Sequence, residues 1–495
     1  MLATESVLNS YLSAHPMSLI PERMSRVDTA WLRMDTPENL MMIVGVWFLK
    51  PKLDIEALRE RCAERLLPYR RFRQRVVEDA MGAVWIEDRD FDIENHVCTV
   101  ELDVDPGQTR MQALQSFVAM RAAQPLDPGR PLWSMELIED FENGESVLLA
   151  RLHHCIADGI ALISVMLSIT DGGALPSKNR KPEHDAHEGE HDWIIDHLLK
   201  PITDMTVKTV KMASKGAAKS MDLLMAPDTP TDATVHMARL GFQAFNDVAA
   251  MALMPDDAHT RLKGKPGQTK TVAWADSLKV DEVKAIGKAL GGSVNDVLLS
   301  CVAGAIGAYL REKGDDPSGQ EIRAMVPVNL RPLDKAYQLG NRFGLVPLVL
   351  PIGIENPIER LYAVRARMQE LKGSFQPIMA FGLLAVAGLL IKPVQHALLN
   401  LFAKKATAVM TNVPGPSKPL TFCGSTVERV MFWVPQSGDI GMGVSILTYA
   451  GKVQFGLITD AELCPDPEAI IAQFEPEFEK LTMLTLMLPW VGEPT

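Results

Sequence analysis

RLHHCIADG, residues 151–159, begins inside the strand-like run VLLARL (147–152) and ends in the helix-like run GIALISVMLSI (159–169). A strand that feeds a helix through so short a turn can aim side chains into a cleft while the scaffold stays rigid. Successive strand residues face opposite sides, so only one of His153 and His154 can enter a given site. A metal site made from these two alone is therefore disfavoured, and the helical H-E-x-x-H spacing of a zinc peptidase is absent. A single imidazole, with its ordinary pKa of about 6.5, is suited to taking a proton from a hydroxyl as general base. The other histidine is then structural. Asp158 either holds an imidazole's tautomer or, with Gly159 after it, braces the turn through an Arg salt bridge. A histidine pair alone would read as satisfied core; the complete H-H-x-x-x-D-G string points to catalysis.

Outward from this string, strand signals (41–49 and 147–152) mix with helical ones (54–67 and 111–123), the pattern of an α/β or α+β domain. LPSKNRKPEHDAHEGEH, residues 175–191, is polar and charged, the best linker in the chain. A helical stretch from about 193 to 225 follows, with Lys208, Lys211, Lys215 and Lys219 on one face. It reads as a solvated face first and as an anionic-lipid contact second. The mixed pattern then resumes. Strands are expected at 271–278, 322–330, 345–350, 406–413, 427–434, 442–449 and 453–459, helices at 280–290 and 294–310, and a tight hairpin turn at Ala450-Gly451. The expected organisation is a first domain over 1–175, a charged connection with an amphipathic helix over 176–265, and a second domain over 266–495.

Composition bounds what this chemistry serves. The 495 residues are 47% hydrophobic and 23% charged, enough apolar material for two large cores and too much for a disordered chain. A net charge of −12 disfavours nucleic acid as a partner. The six cysteines form no C-x-x-C pair, as suits reduced thiols in a cytoplasmic enzyme. The N-terminal stretch lacks the features of a signal peptide. PIMAFGLLAVAGLLI, residues 377–391, is shorter than the roughly 20 apolar residues of a membrane span. His184, His187 and His191 have spacings a metal could use but sit in the acidic linker, where a solvated tail is the better reading. No metal and no cofactor are expected. No G-x-S-x-G elbow, P-loop or G-x-G-x-x-G after a strand occurs, so a serine-nucleophile elbow, nucleotide hydrolysis and a Rossmann site lack support.

Three further strings accompany the histidines: Pro131-Leu132-Trp133 within QPLDPGRPLW, Asn295-Asp296 at the start of an apolar helix, and Asn412-Val413-Pro414-Gly415-Pro416. Together with H-H-x-x-x-D-G, in this order and spacing from Met24 to Asp460, they make the chain resemble the bifunctional wax ester synthase/diacylglycerol acyltransferase family. That family lies within the chloramphenicol acetyltransferase-like, coenzyme A-dependent acyltransferases. Met41-Met42 stands where the family often has Met-His, and the connection over 175–265 is long for the family.

The resemblance implies a fold of two chloramphenicol acetyltransferase-like domains with a substrate tunnel at their interface. It implies transfer of a long-chain acyl group from acyl-coenzyme A to a fatty alcohol or a diacylglycerol, with peripheral contact to a membrane or lipid inclusion. His154 would deprotonate the acceptor hydroxyl, His153 would support it, and Asp158 would orient the loop. For Asn295 two readings stay open, an oxyanion donor or part of a helix cap. By the same resemblance Gly159, Pro131, Leu132, Trp133, Asp296, Asn412, Pro414 and Gly415 would line the substrates' path. Within that set Trp133 reads as packing at the edge of the acyl channel, and 412–416 as a structural turn. Two other functions stand beside this one: condensation of carrier-bound thioesters, and non-catalytic lipid binding on the same fold.

Overall fold

Ser146–His153 reads SVLLARLH and is buried along its whole length. A strand of this kind, apolar at nearly every position, belongs in the middle of a sheet covered on both faces. In the computed structural model, which describes residues 21–79, 82–173, 255–329, 339, 341, 343–372 and 392–487, it is central. Met42–Lys50 pairs with it antiparallel on one side (Met42 opposite His153), and Trp133–Ile138 on the other (Trp133 opposite Leu152). The linker histidines, the lysine-bearing stretch 193–225 and the apolar run 377–391 lie outside the described residues.

The outer edge of this first sheet departs from the expected division of the chain. Ser425–Trp433 crosses from the C-terminal half and pairs antiparallel with Met42–Lys50, Trp433 opposite Val44, and Thr421–Phe422 extends it as a hairpin. The boundary expected between 1–175 and 266–495 is corrected accordingly: residues 421–433 belong to the first sheet. The run 427–434 was legible as a strand, but nothing local in it specifies a partner some 380 residues away.

The second sheet runs Phe343–Leu350, Ile322–Asn329, Ala408–Pro414, Met442–Tyr449, Lys452–Asp460 and Lys270–Trp274 in spatial order, with Leu278–Lys279 added beside Lys452–Asp460. Ile322–Asn329, Ala408–Pro414 and Met442–Tyr449 are mutually parallel neighbours, and the other pairings are antiparallel. Ala450 and Gly451, at φ 48° and 76°, form the expected tight turn. Val294–Glu312 is the core helix of this half. It is the one described helix long and apolar enough to cross a membrane, yet it is mostly buried among Phe455, Phe474 and Leu481. A Cβ on its Gly304 would strike the buried Arg360–Glu477 ion pair. The architecture is thus a mixed α/β fold of two sheet-centred halves.

Candidate functional site

Where the histidine strand ends, His153 and His154 turn to opposite surroundings. His153 is buried with Nε2 3.2 Å from Asp35 Oδ2. Its Nδ1 accepts the Cys155 amide at 3.1 Å, and its own amide donates to the Leu132 carbonyl at 3.0 Å. An acceptor at Nδ1 leaves the ring proton on Nε2, facing Asp35. Both ring nitrogens are thus engaged, Nδ1 by the Cys155 amide and Nε2 by Asp35, which pins the ring in place.

His154 has the surroundings of a reactive group. Its amide donates to the Met41 carbonyl at 2.7 Å, and its carbonyl accepts Asn341 Nδ2 at 2.8 Å. The ring stacks on Trp31 with centroids 4.2 Å apart and planes 22° apart, and tilts against Phe343 at 5.4 Å. Nδ1 is sealed from solvent without a hydrogen-bond partner among the described residues. Only 3% of the residue is exposed. Burial, opposed by Asp158, drags the imidazole down to about 4, so the ring is neutral at pH 7 with its lone pair available.

Asp158 caps the following helix. Its Oδ1 accepts the Ala161 amide at 2.9 Å at the start of Gly159–Ile169. This braces the turn through the helix N-terminus, in the manner of an Asp cap. Among the described residues no atom lies within 4 Å of a Cβ built on Gly159.

Of the other expected residues, Pro131, Leu132 and Trp133 lead into the strand beside the histidines. Leu132 anchors the His153 backbone, and Trp133 is core: its indole donates to the Phe72 carbonyl at 2.9 Å and stacks on His96 at 4.6 Å. At the start of the core helix, the capping box is made by Ser293 and Asp296; the Ser293 amide donates to Asp296 Oδ2 at 2.7 Å. Asn295 is exposed on that first turn and takes no part in the box.

The strand expected at 406–413 runs one residue further than expected, to Pro414. Asn412 and Pro414 lie in the strand Ala408–Pro414, opposite Ile446 and Thr448. Asn412 shares a face with Met410, on the side of the second core, and its Nδ2 is sealed without a partner among the described residues. Gly415 follows the strand, where its amide donates to the Thr448 carbonyl at 2.6 Å and a Cβ would run into that carbonyl. Proline at the end of a strand forfeits few ladder bonds, which is why V-P-G-P continues the strand before it turns. The hydrogen bonds and ring contacts of His154 do not involve Asn295 or Asn412.

Five residues around the histidines were not singled out from the sequence: Asp28, Trp31, Asp35, Asn341 and Phe343. Three of them lie in MSRVDTAWLRMDTPENL, where Asp28 and Trp31 stand at helical spacing of three just ahead of the strand that pairs with the histidines. Asn341 bridges the halves, with Nδ2 also donating to Asp28 Oδ1 at 2.8 Å. Among the described residues no group of three His, Cys, Asp or Glu could hold a metal ion.

Two family profiles match the chain: "Wax ester synthase/diacylglycerol acyltransferase catalytic domain" over residues 24–298, and "WS/DGAT C-terminal domain" over residues 339–482. Among curated relatives, "Probable diacyglycerol O-acyltransferase tgs1" of Mycobacterium tuberculosis is 26% identical over 472 residues, 93% of this chain and 96% of that protein. "O-acyltransferase WSD" of Acinetobacter baylyi is 25% identical over 413 residues, 80% of this chain and 83% of that protein. Among solved structures, the wax ester synthase/diacylglycerol acyltransferase from Marinobacter aquaeolei VT8 superposes with a TM-score of 0.64 at 19% identity, over 94% of this chain and all of that one. The first condensation domain of the CDA synthetase reaches 0.55 at 14% identity, over 94% of this chain and 97% of that one. At these identities the structures speak for the fold alone.

Proposed function

Because the chain belongs to the wax ester synthase/diacylglycerol acyltransferase family, we propose that it transfers a long-chain acyl group from acyl-coenzyme A to a fatty alcohol or a diacylglycerol. The observation that carries the mechanism is the buried His154 ring, neutral at pH 7 and held between Trp31 and Phe343. An alcohol, with a pKa of roughly 16, is a poor nucleophile, and a positioned base contributes about 10²–10⁴-fold. His154 Nε2 takes the acceptor's hydroxyl proton as the oxygen attacks the thioester carbonyl. The tetrahedral intermediate collapses with loss of the coenzyme A thiolate, which recovers that proton from the imidazolium. The products are an ester and free coenzyme A, with no acyl-enzyme. His153 and Asp35 keep the adjoining backbone in register, and Asp158 fixes the turn. Asn295 is assigned as oxyanion donor on the family resemblance; the capping work falls to Ser293 and Asp296, so the cap does not require its amide.

With palmitoyl-coenzyme A, the purified protein should release free thiol only when hexadecanol or a diacylglycerol is added, with the matching ester seen by thin-layer separation. Thiol release without acceptor, or none with any acceptor, would overturn this reading. Since both acceptors and their ester products are water-insoluble, the reading includes work at a lipid surface from the cytoplasmic side, through Lys208, Lys211, Lys215 and Lys219. Reversal of the four lysines to Glu should abolish salt-sensitive binding to anionic vesicles; equal binding by both proteins rejects this contact.

A further inference from the structure

Trp31 covers one face of the His154 ring, and the fold goes to some length to hold it there. The helix Arg26–Arg33 is capped by Ser25, whose side chain accepts the Asp28 amide at 3.1 Å. Asp28 and Trp31, three apart, then share a helix face. Asp28 holds Asn341 through both the amide and side chain of that residue, and Asn341 in turn holds the His154 carbonyl. From the other side, Gln395 Nε2 donates to the Ala30 carbonyl at 2.9 Å. Indole and imidazole are thus fixed in one frame, with Phe343 packed on both.

The choice of indole is costly. Trp31 Nε1 is sealed from solvent and has no hydrogen-bond partner among the described residues, a penalty that a phenyl ring would avoid. What indole offers in return is the strongest π-face for a cation. The base needs one, because His154 must become positive in a buried site where its Nδ1 meets no acceptor among the described residues. The ionisable groups around it are Asp158 on the helix cap, His153 on the strand and Asp28, whose carboxylate is taken up by Asn341 and Ser25.

We propose that Trp31 is a positioning residue for acyl transfer, holding the His154 ring by its face and stabilising the imidazolium formed when that ring takes the acceptor's proton. This rests on the general-base reading of His154. A cation over an indole face is worth about two- to thirtyfold in rate, depending on desolvation.

The test replaces Trp31 alone, among the eight tryptophans, with mono-, di- and trifluorotryptophan by site-specific incorporation. Fluorine drains the π-face while ring shape and the N–H are retained. The expected result with palmitoyl-coenzyme A and hexadecanol is a stepwise fall in kcat, about tenfold across the series, with KM and thermal midpoint unchanged. A kcat that stays level across the series overturns the proposal, since a packing role is blind to ring electronics. Trp31→Phe should keep part of the rate and Trp31→Leu less. His154→Ala separates the two readings: if that variant is inactive and the fluorinated series is flat, the general base stands and the role of Trp31 fails. If His154→Ala turns over normally, both fail.

Discussion

At the scale of single residues, the two histidines divide their work by environment. The alternation of a strand predicts that they face different surroundings, and they do, although the strand ends at His153 and His154 opens the turn. It could not say what each would meet: Asp35 lies 118 residues from His153, and Asn341 lies 187 from His154. The same gap hid the strength of the base. An imidazole at its ordinary pKa would lose activity near pH 6.5. Burial holds His154 at about 4, so kcat/KM should be level through neutral pH and fall only as pH drops through about 4. A midpoint near 6.5 in that profile would contradict the buried site. Stability follows the same sign. The folded value lies below the unfolded one, so the unfolded chain binds the proton first. Stability carried by this group is full above about pH 6.5 and is lost as pH falls toward about 4.

At the scale of elements, the strands were legible because apolar runs bounded by turn residues carry their own signal. The expected strand at 442–449 matches Met442–Tyr449, and 453–459 lies within Lys452–Asp460. The strand expected at 406–413 is Ala408–Pro414: pairing with Met442–Tyr449 carries it one residue into V-P-G-P before the chain turns. The apolar helix expected at 294–310 is Val294–Glu312, and its first turn gives the cap to Ser293 and Asp296. Ser293 and Asp296 close the capping box, so Ser293→Ala should lower stability by about 1 kcal/mol and spare the chemistry. Asn295→Ala should do the reverse, with kcat down about 10²–10³-fold and the thermal midpoint kept. Thermal unfolding paired with acceptor-dependent thiol release measures both. A fully active Asn295→Ala protein removes Asn295 as the oxyanion donor.

At the scale of the whole molecule, an alternating pattern implies two mixed halves, and two halves are present, but they are interlocked. Ser425–Trp433 completes the first sheet, and Phe343 and Asn341 of the second half reach the base of the first. A buried clip adds to this: Lys270 Nζ lies 3.0 Å from Asn39 Oδ1 and 3.2 Å from Asp460 Oδ2, and Asn39 Nδ2 donates to the Gly438 carbonyl. Such pairings join residues hundreds of positions apart and leave no periodicity for a sequence to display. They also make the halves dependent on each other. A fragment of residues 1–265 would leave Met42–Lys50, MIVGVWFLK, as an open apolar edge, the kind of strand that recruits other chains. Expressed alone, that fragment should aggregate. Co-expressed with residues 266–495, it should be rescued into soluble, active protein, and the intact chain should unfold in one thermal transition. A soluble, monomeric 1–265 fragment with native strand content, or two well-separated transitions in the intact chain, would mean that the crossing strand is an accessory to the first sheet and not part of its fold.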